Sequence, residues 1–228
     1  ALAFPDLRGP AERKTCFYGL YNLYLAAHRM RTDDRAAIVS NDLAMDDPAR
    51  LYVLTGPNGG GKTTFTQAAG IAAVFAQSGL PVPADSAVVS PVDAVVTHFP
   101  IEEDYSDDLG RFEDEVRRIS EIFDQVGTES MVLLNDPLSS TGPKEAVEVA
   151  TDVLAGFRLA GVRGVFTTHL HQLAEEVERL NEAVAGSSRI GSLSAGVRTV
   201  GDRAVRTYRI TEGASEGSSY AGDIARRV

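Results

Sequence analysis

Residues Gly56, Pro57, Asn58, Gly59, Gly60, Gly61, Lys62, Thr63 and Thr64 combine the side chains and backbone freedom that handle phosphate. Glycines let the chain wrap an anion with successive N–H groups pointing inward, and a helix N-terminus adds favourable partial charge. A lysine supplies a compact positive charge for the β- and γ-phosphates, and the first threonine a hydroxyl for Mg²⁺. From Gly56 to Thr63 the spacing is G-x-x-x-x-G-K-[ST], and its required context is present. Residues 51–54 read as a buried strand running in, and residues 64–76 as a helix running out. A chance glycine-rich turn would not carry both flanks, so the sequence predicts a bound nucleotide.

Hydrolysis of that nucleotide needs a group for Mg²⁺ and a group that aligns water, both near the end of a neighbouring strand. The apolar run of residues 130–134 ends in Asn135 and Asp136, and a second buried run, residues 164–168, ends at His169. In an open parallel sheet functional residues gather at such carboxyl ends. Asn135 and Asp136 therefore occupy the place of the groups that hold the metal, together with Thr63, and align the water. His169 is expected to sense the γ-phosphate or help position the water; a lone histidine is more often structural, but its place at a strand end favours function.

The elements that must carry these residues alternate along the chain. Residues 1–14 read as an irregular lead-in, residues 15–30 as one helix with Phe17, Leu20, Tyr21, Tyr24 and Leu25 on a single face, and residues 36–43 as a short strand and turn. Strands are expected over residues 87–89 and 94–97, helices over 111–126 and 144–159, and a hairpin over 193–200 and 204–210 turning at Gly201-Asp202. Helices alternating with buried strands point to an α/β domain with a mostly parallel sheet covered on both faces. The 228 residues, 43% hydrophobic and 24% charged, suit one large soluble domain or one domain plus an appendage. No membrane span or signal peptide is read, which predicts a cytoplasmic protein. A formal charge of −10 argues against a broad nucleic-acid surface on this chain, since such surfaces cluster Lys and Arg. The single Cys16, set among Phe17, Leu20 and Tyr21, reads as a buried residue and not as a nucleophile.

The ordered segments Val39-Ser40-Asn41-Asp42, the Gly-Pro-Asn-Gly-Gly-Gly-Lys-Thr-Thr loop, Val82-Pro83-Ala84, Leu134-Asn135-Asp136 followed by Ser139-Ser140-Thr141, Thr168 to Leu173, and Ser219-Tyr220-Ala221 resemble the C-terminal ATPase domain of MutS-type DNA mismatch-repair proteins. The resemblance covers residues 39–228, with residues 1–38 as a helical lead-in from a lever region. It implies a P-loop, ABC-like ATPase whose cofactors are ATP and Mg²⁺, sandwiched between the protomers of a homodimer. The implied DNA partner, double-stranded or mismatched, would be held by other parts of a longer protein. His169 matches the family's switch histidine, Asn58 a phosphate-loop contact, and Ser139-Ser140-Thr141 the segment that communicates with the partner's site. The chain departs from the family at two places. Asn135-Asp136 stands where Asp-Glu is usual, leaving Asp136 to serve both metal and water. Gly110-Arg111 runs into Phe112 where a Ser-Thr signature is usual. An alternative is an ATP-dependent dimerisation switch with little hydrolysis. A small-molecule kinase would need an acceptor pocket and an arginine-rich lid, and neither cue is read.

Overall fold

In this computed structural model, which describes residues 1–34, 36–99, 108–186, 188–200 and 203–213, a short strand β1 (Asp6–Leu7) opens the chain. Residues 15–30 are not one helix. They divide into strand β2 (Thr15–Leu20) and helix α1 (Leu23–Arg31). Thr15, Phe17 and Tyr18 favour a pleated surface, β2 finds ladder partners on both sides, and Asn22 caps α1 by accepting the Leu25 N–H at 2.9 Å. The next strand, β3 (Asn41–Met45), begins later than expected.

There follow β4 (Ala49–Thr55), α2 (Lys62–Gln77), β5 (Ser86–Val89), β6 (Val95–His98), α3 (Asp108–Phe123) and β7 (Met131–Asn135). Then come α4 (Pro143–Ala160), β8 (Arg163–Thr167), α5 (His171–Ala183), β9 (Arg189–Val200) and β10 (Arg203–Glu212). Helix α5 was not expected, although Leu173, Val177 and Leu180 share one helical face and are buried. The expected turn at residues 201–202, the acidic residues 102–107 and Ser219-Tyr220-Ala221 lie outside the described residues.

The larger sheet has the order β10-β9-β4-β8-β7-β6, parallel from β9 to β6, with β10 antiparallel at its edge. This is the mostly parallel sheet and closing hairpin that the alternation of elements predicts. A smaller sheet has the order β1-β5-β2-β3. Side chains alternate between two cores, as the two-residue strand period requires. Tyr52, Leu54, Leu133 and Val165 face α2 and the smaller sheet. Leu51, Val53, Val132, Leu134 and Phe166 face α4 and α5. Helix α2 meets the sheet through Ala68, Ala69, Ala72, Ala73 and Ala76, all buried. Their small side chains bring its axis close, and that proximity fixes the helix start relative to the ends of β7 and β8. On the other face the rings of Phe123 (α3) and Phe157 (α4) stack at 4.4 Å, joining α3 to the second core.

Candidate nucleotide site

The site lies at the carboxyl ends of β4, β7 and β8. The loop of residues 56–61 leaves β4 at Gly56, whose φ of 135° and lack of Cβ are both needed: a Cβ would stand 2.8 Å from that of Ala195 on β9. Lys62 then opens α2. Its side chain is only 5% exposed and folds back over the loop, the ammonium donating to the Gly56 carbonyl at 2.8 Å and the Pro57 carbonyl at 3.3 Å. Burial pushes this lysine below its ordinary pKa, and the Asp136 carboxylate opposes the shift.

The threonine hydroxyl of the motif reaches the neighbouring strand. Thr63 Oγ1 donates to Asn135 Oδ1 at 2.8 Å, and Asn135, closing β7, is itself buried. One turn further along α2, Thr66 and Thr167 share a buried hydroxyl hydrogen bond of 2.8 Å, tying the helix to the end of β8. Asp136 leaves the strand in a left-handed conformation, φ 46°, with its N–H on the Thr167 carbonyl at 2.9 Å. Aspartate tolerates that conformation; Leu138, at φ 64° and 1% exposed, adopts it only because the second core holds its side chain. The turn aims the Asp136 carboxylate at His169, with Nδ1 and Oδ1 3.1 Å apart. That hydrogen bond, and then the charge of Asp136, raise the His169 pKa above its ordinary value, while burial works the other way.

The structure thus brings the predicted residues together in two pairs, Thr63 with Asn135 and Asp136 with His169. The amide that departs from the family pattern is the one on the threonine. Beyond Asp136, Ser140 donates to Glu115 of α3 at 2.6 Å and Thr141 to Glu145 of α4 at 2.9 Å, which fixes this segment to two helices.

A cavity of about 380 Å³ opens beside the loop, lined by the polar Asn58, Lys62, Thr63, Thr64 and Asp136 and also by Leu20, Tyr21, Val39 and Tyr208. Three contributors were assigned no role from the sequence. Asn22 donates to the Thr64 carbonyl at 2.9 Å, holding α1 against the first turn of α2. Asn41 donates to the Tyr208 carbonyl at 3.0 Å and accepts the Ile210 N–H at 2.7 Å. Tyr208 packs its ring over Gly61. The sequence signal for Asn41 was its place in the Val39 to Asp42 segment; nothing local marked Tyr208.

A strand, a glycine loop closed by a buried lysine, a helix opening on that loop and polar residues at the adjoining strand ends define a P-loop nucleotide-binding domain. The family model of MutS domain V matches residues 52–227. The chain belongs to that family, the ATPase domain of MutS-type proteins, and binds nucleotide as such a domain. It is 32% identical over 208 residues to "Endonuclease MutS2" of Thermus thermophilus, covering 91% of this chain and 26% of that protein. It is 30% identical over 198 residues to "DNA mismatch repair protein MutS" of Chlorobium phaeobacteroides, covering 86% and 22%. The mismatch repair protein of Thermosipho melanesiensis is 31% identical over 189 residues, covering 82% and 22%. The chain spans about a quarter of the length of these relatives. Among the described residues no helix is long and apolar enough to cross a membrane.

Proposed function

We propose that this chain binds ATP with Mg²⁺ at residues 56–64 and hydrolyses it between two copies of itself, as the engine of a DNA-processing MutS-type protein. The observation that carries the reading is the convergence of Lys62, the Thr63–Asn135 pair and the Asp136–His169 pair at adjoining ends of α2, β7 and β8. Loop N–H groups and Lys62 would take the phosphates. Apart from the imidazole of His169, the neighbouring donors are oxygens: Thr63 Oγ1, Asn135 Oδ1 and the Asp136 carboxylate. Such a set fits Mg²⁺, which takes few protein ligands and completes its shell with phosphate and water. Bound there, Mg²⁺ supplies positive charge to the phosphate oxygens. Asp136, held by His169, would accept a proton from the attacking water or orient it, and His169 would report the state of the γ-phosphate. Residues 1–38, through the smaller sheet, would join this engine to a lever region, and DNA would be held by other parts of a longer protein.

The second reading, an ATP-dependent dimerisation switch with little turnover, draws on Asn135. An amide lends no charge to the water shell of Mg²⁺, where an acid would. Phosphate release and ATP affinity of the purified chain separate the two, with Lys62→Ala as control and sedimentation run with and without a non-hydrolysable ATP analogue. Under the main reading Lys62→Ala abolishes binding in a folded protein. Asp136→Asn keeps binding and slows turnover about a hundredfold or more. Loss of Mg²⁺-dependent affinity in Asp136→Asn, rescued by excess Mg²⁺, would instead make Asp136 chiefly a metal ligand. Unchanged nucleotide affinity in folded Lys62→Ala would remove the assignment altogether.

A further inference from the structure

The β9–β10 hairpin does more than close the sheet. Its register runs regularly to Arg206↔Val197 and resumes only at Ile210↔Ala195, so four steps on β10 face two on β9. The surplus residues bulge out, with Tyr208 at φ 58°, and three contacts hold the bulge. Asn41 grips it through the Tyr208 carbonyl and the Ile210 N–H, Arg209 donates to the Ser40 carbonyl at 3.0 Å, and Thr207 donates to the Gly196 carbonyl at 2.9 Å. Bulges of this kind re-aim side chains beside functional sites.

What this one aims is a guanidinium. Gly59, in the middle of the phosphate loop at φ 69°, has no side chain, and the space where its Cβ would stand is taken by Arg206, with Cζ and Nη1 each 3.1 Å away. The hairpin therefore sits along the loop, with Ala195 against Gly56 and Gly60, Arg206 against Gly59 and Tyr208 against Gly61. Among the described residues Arg206 makes no hydrogen bond and no ion pair, in contrast to Arg189, which pairs with Glu178, and Arg209, which holds Ser40. A cation with no carboxylate partner among the described residues, packed on a loop of phosphate-binding pattern in a chain of net charge −10, is suited to an anionic ligand.

We propose that Arg206 is a phosphate-binding residue of this site, a guanidinium delivered in cis by β10 over Gly59 to grip the oxygens of a nucleoside di- or triphosphate. The inference rests on the reading of residues 56–63 as the phosphate loop. A planar fork of N–H donors matches phosphate geometry, and such charge-assisted bonds are about twice as strong as neutral ones. Because the contact is to phosphate and not to the base, its benefit grows with the number of phosphates.

Binding of ATP, ADP and AMP to the parent chain, Arg206→Met, Arg206→Lys and Lys62→Ala tests this, with thermal melts confirming folding. Methionine fills the notch on Gly59 without charge, so Arg206→Met is expected to lose about tenfold in ATP affinity, less for ADP, and nothing for AMP. The loss shrinks as salt is raised, since salt screens an exposed charge, and Arg206→Lys binds with intermediate affinity. Equal losses for ATP and AMP, or a loss insensitive to salt, would mean that Arg206 only packs the loop and would overturn the proposal. So would ATP affinity unchanged in Arg206→Met and Arg206→Lys while Lys62→Ala loses it. Failure of the parent chain itself to bind ATP would instead bring down the phosphate-loop reading, and the proposal with it.

Discussion

His169 and Asp136 form the pair whose behaviour follows most directly from geometry. Their hydrogen bond holds the folded-state pKa of His169 above the ordinary 6.5, so the folded protein favours the imidazolium. The sign follows from linkage: the stabilisation is complete below about the ordinary value and disappears as pH rises through the higher folded one. Without nucleotide, the melting-temperature advantage of the parent over His169→Gln is expected to be largest near pH 5 to 6 and to vanish toward pH 8, by thermal melts across that range. His98 runs the other way. It is 6% exposed with no hydrogen-bond partner on its buried Nε2 among the described residues, and burial pushes its pKa down, so it weakens the fold as pH falls. Comparing variant with parent cancels that background. At this scale the phosphate loop was legible because wrapping an anion demands glycine, lysine and threonine at fixed spacing. Arg206 and Tyr208 were not, because a bulge with unequal register brings them to the loop, and no period in the sequence announces a bulge.

The elements show where a period misleads. Phe17, Leu20, Tyr21, Tyr24 and Leu25 repeat as one helical face would, yet Phe17 and Leu20 belong to β2 and lie in the core, while Tyr24, on α1, is 73% exposed. A strand running into a helix happened to keep the helical spacing across the junction, and only the ladder partners β3 and β5, distant in sequence, decide between them. Strands β4, β7 and β8 were legible because burial on both faces makes them continuously apolar. The coupling of β3 to the hairpin through Asn41 yields a prediction for this scale. Asn41→Ala removes two hydrogen bonds that hold the bulge and should lower stability by about 2 kcal/mol, read by denaturant unfolding. It should also weaken ATP binding without touching the phosphate loop, because Arg206 and Tyr208 lose their aim.

The molecule as a whole is tied together by Arg163. This residue, fully buried, starts β8 and donates to Thr15 Oγ1 and to the carbonyls of Ser90, Pro91 and Glu129, at 2.9 to 3.0 Å. Burial, with Arg13 and Arg50 nearby, lowers its pKa to about 10. One guanidinium thereby joins the larger sheet to β2 in the smaller one. Arg163→Ala leaves several buried acceptors without a donor and should cost about 3 kcal/mol or more, measured by the shift in denaturant midpoint. If the change is near neutral, the two sheets hold together by apolar packing alone.

The order of the smaller sheet also bears on how this domain can be cut. Strand β5, well inside the part that the family model matches, lies between β1 and β2, which both come from the first twenty residues. A shortened protein beginning at Ala49 would keep β5 but strip both of its neighbours, together with β3. Two rows of unpaired N–H and C=O groups would then face water beside the uncovered apolar flank of α2, the arrangement from which strands add to strands of other molecules. Such a fragment would retain every residue of the phosphate loop and still be expected to precipitate, whereas the chain from Ala1 stays dispersed; light scattering of the two at equal concentration distinguishes them. The opening residues, which carry none of the phosphate-loop motif, would on this expectation guard β5 against edge-to-edge strand addition.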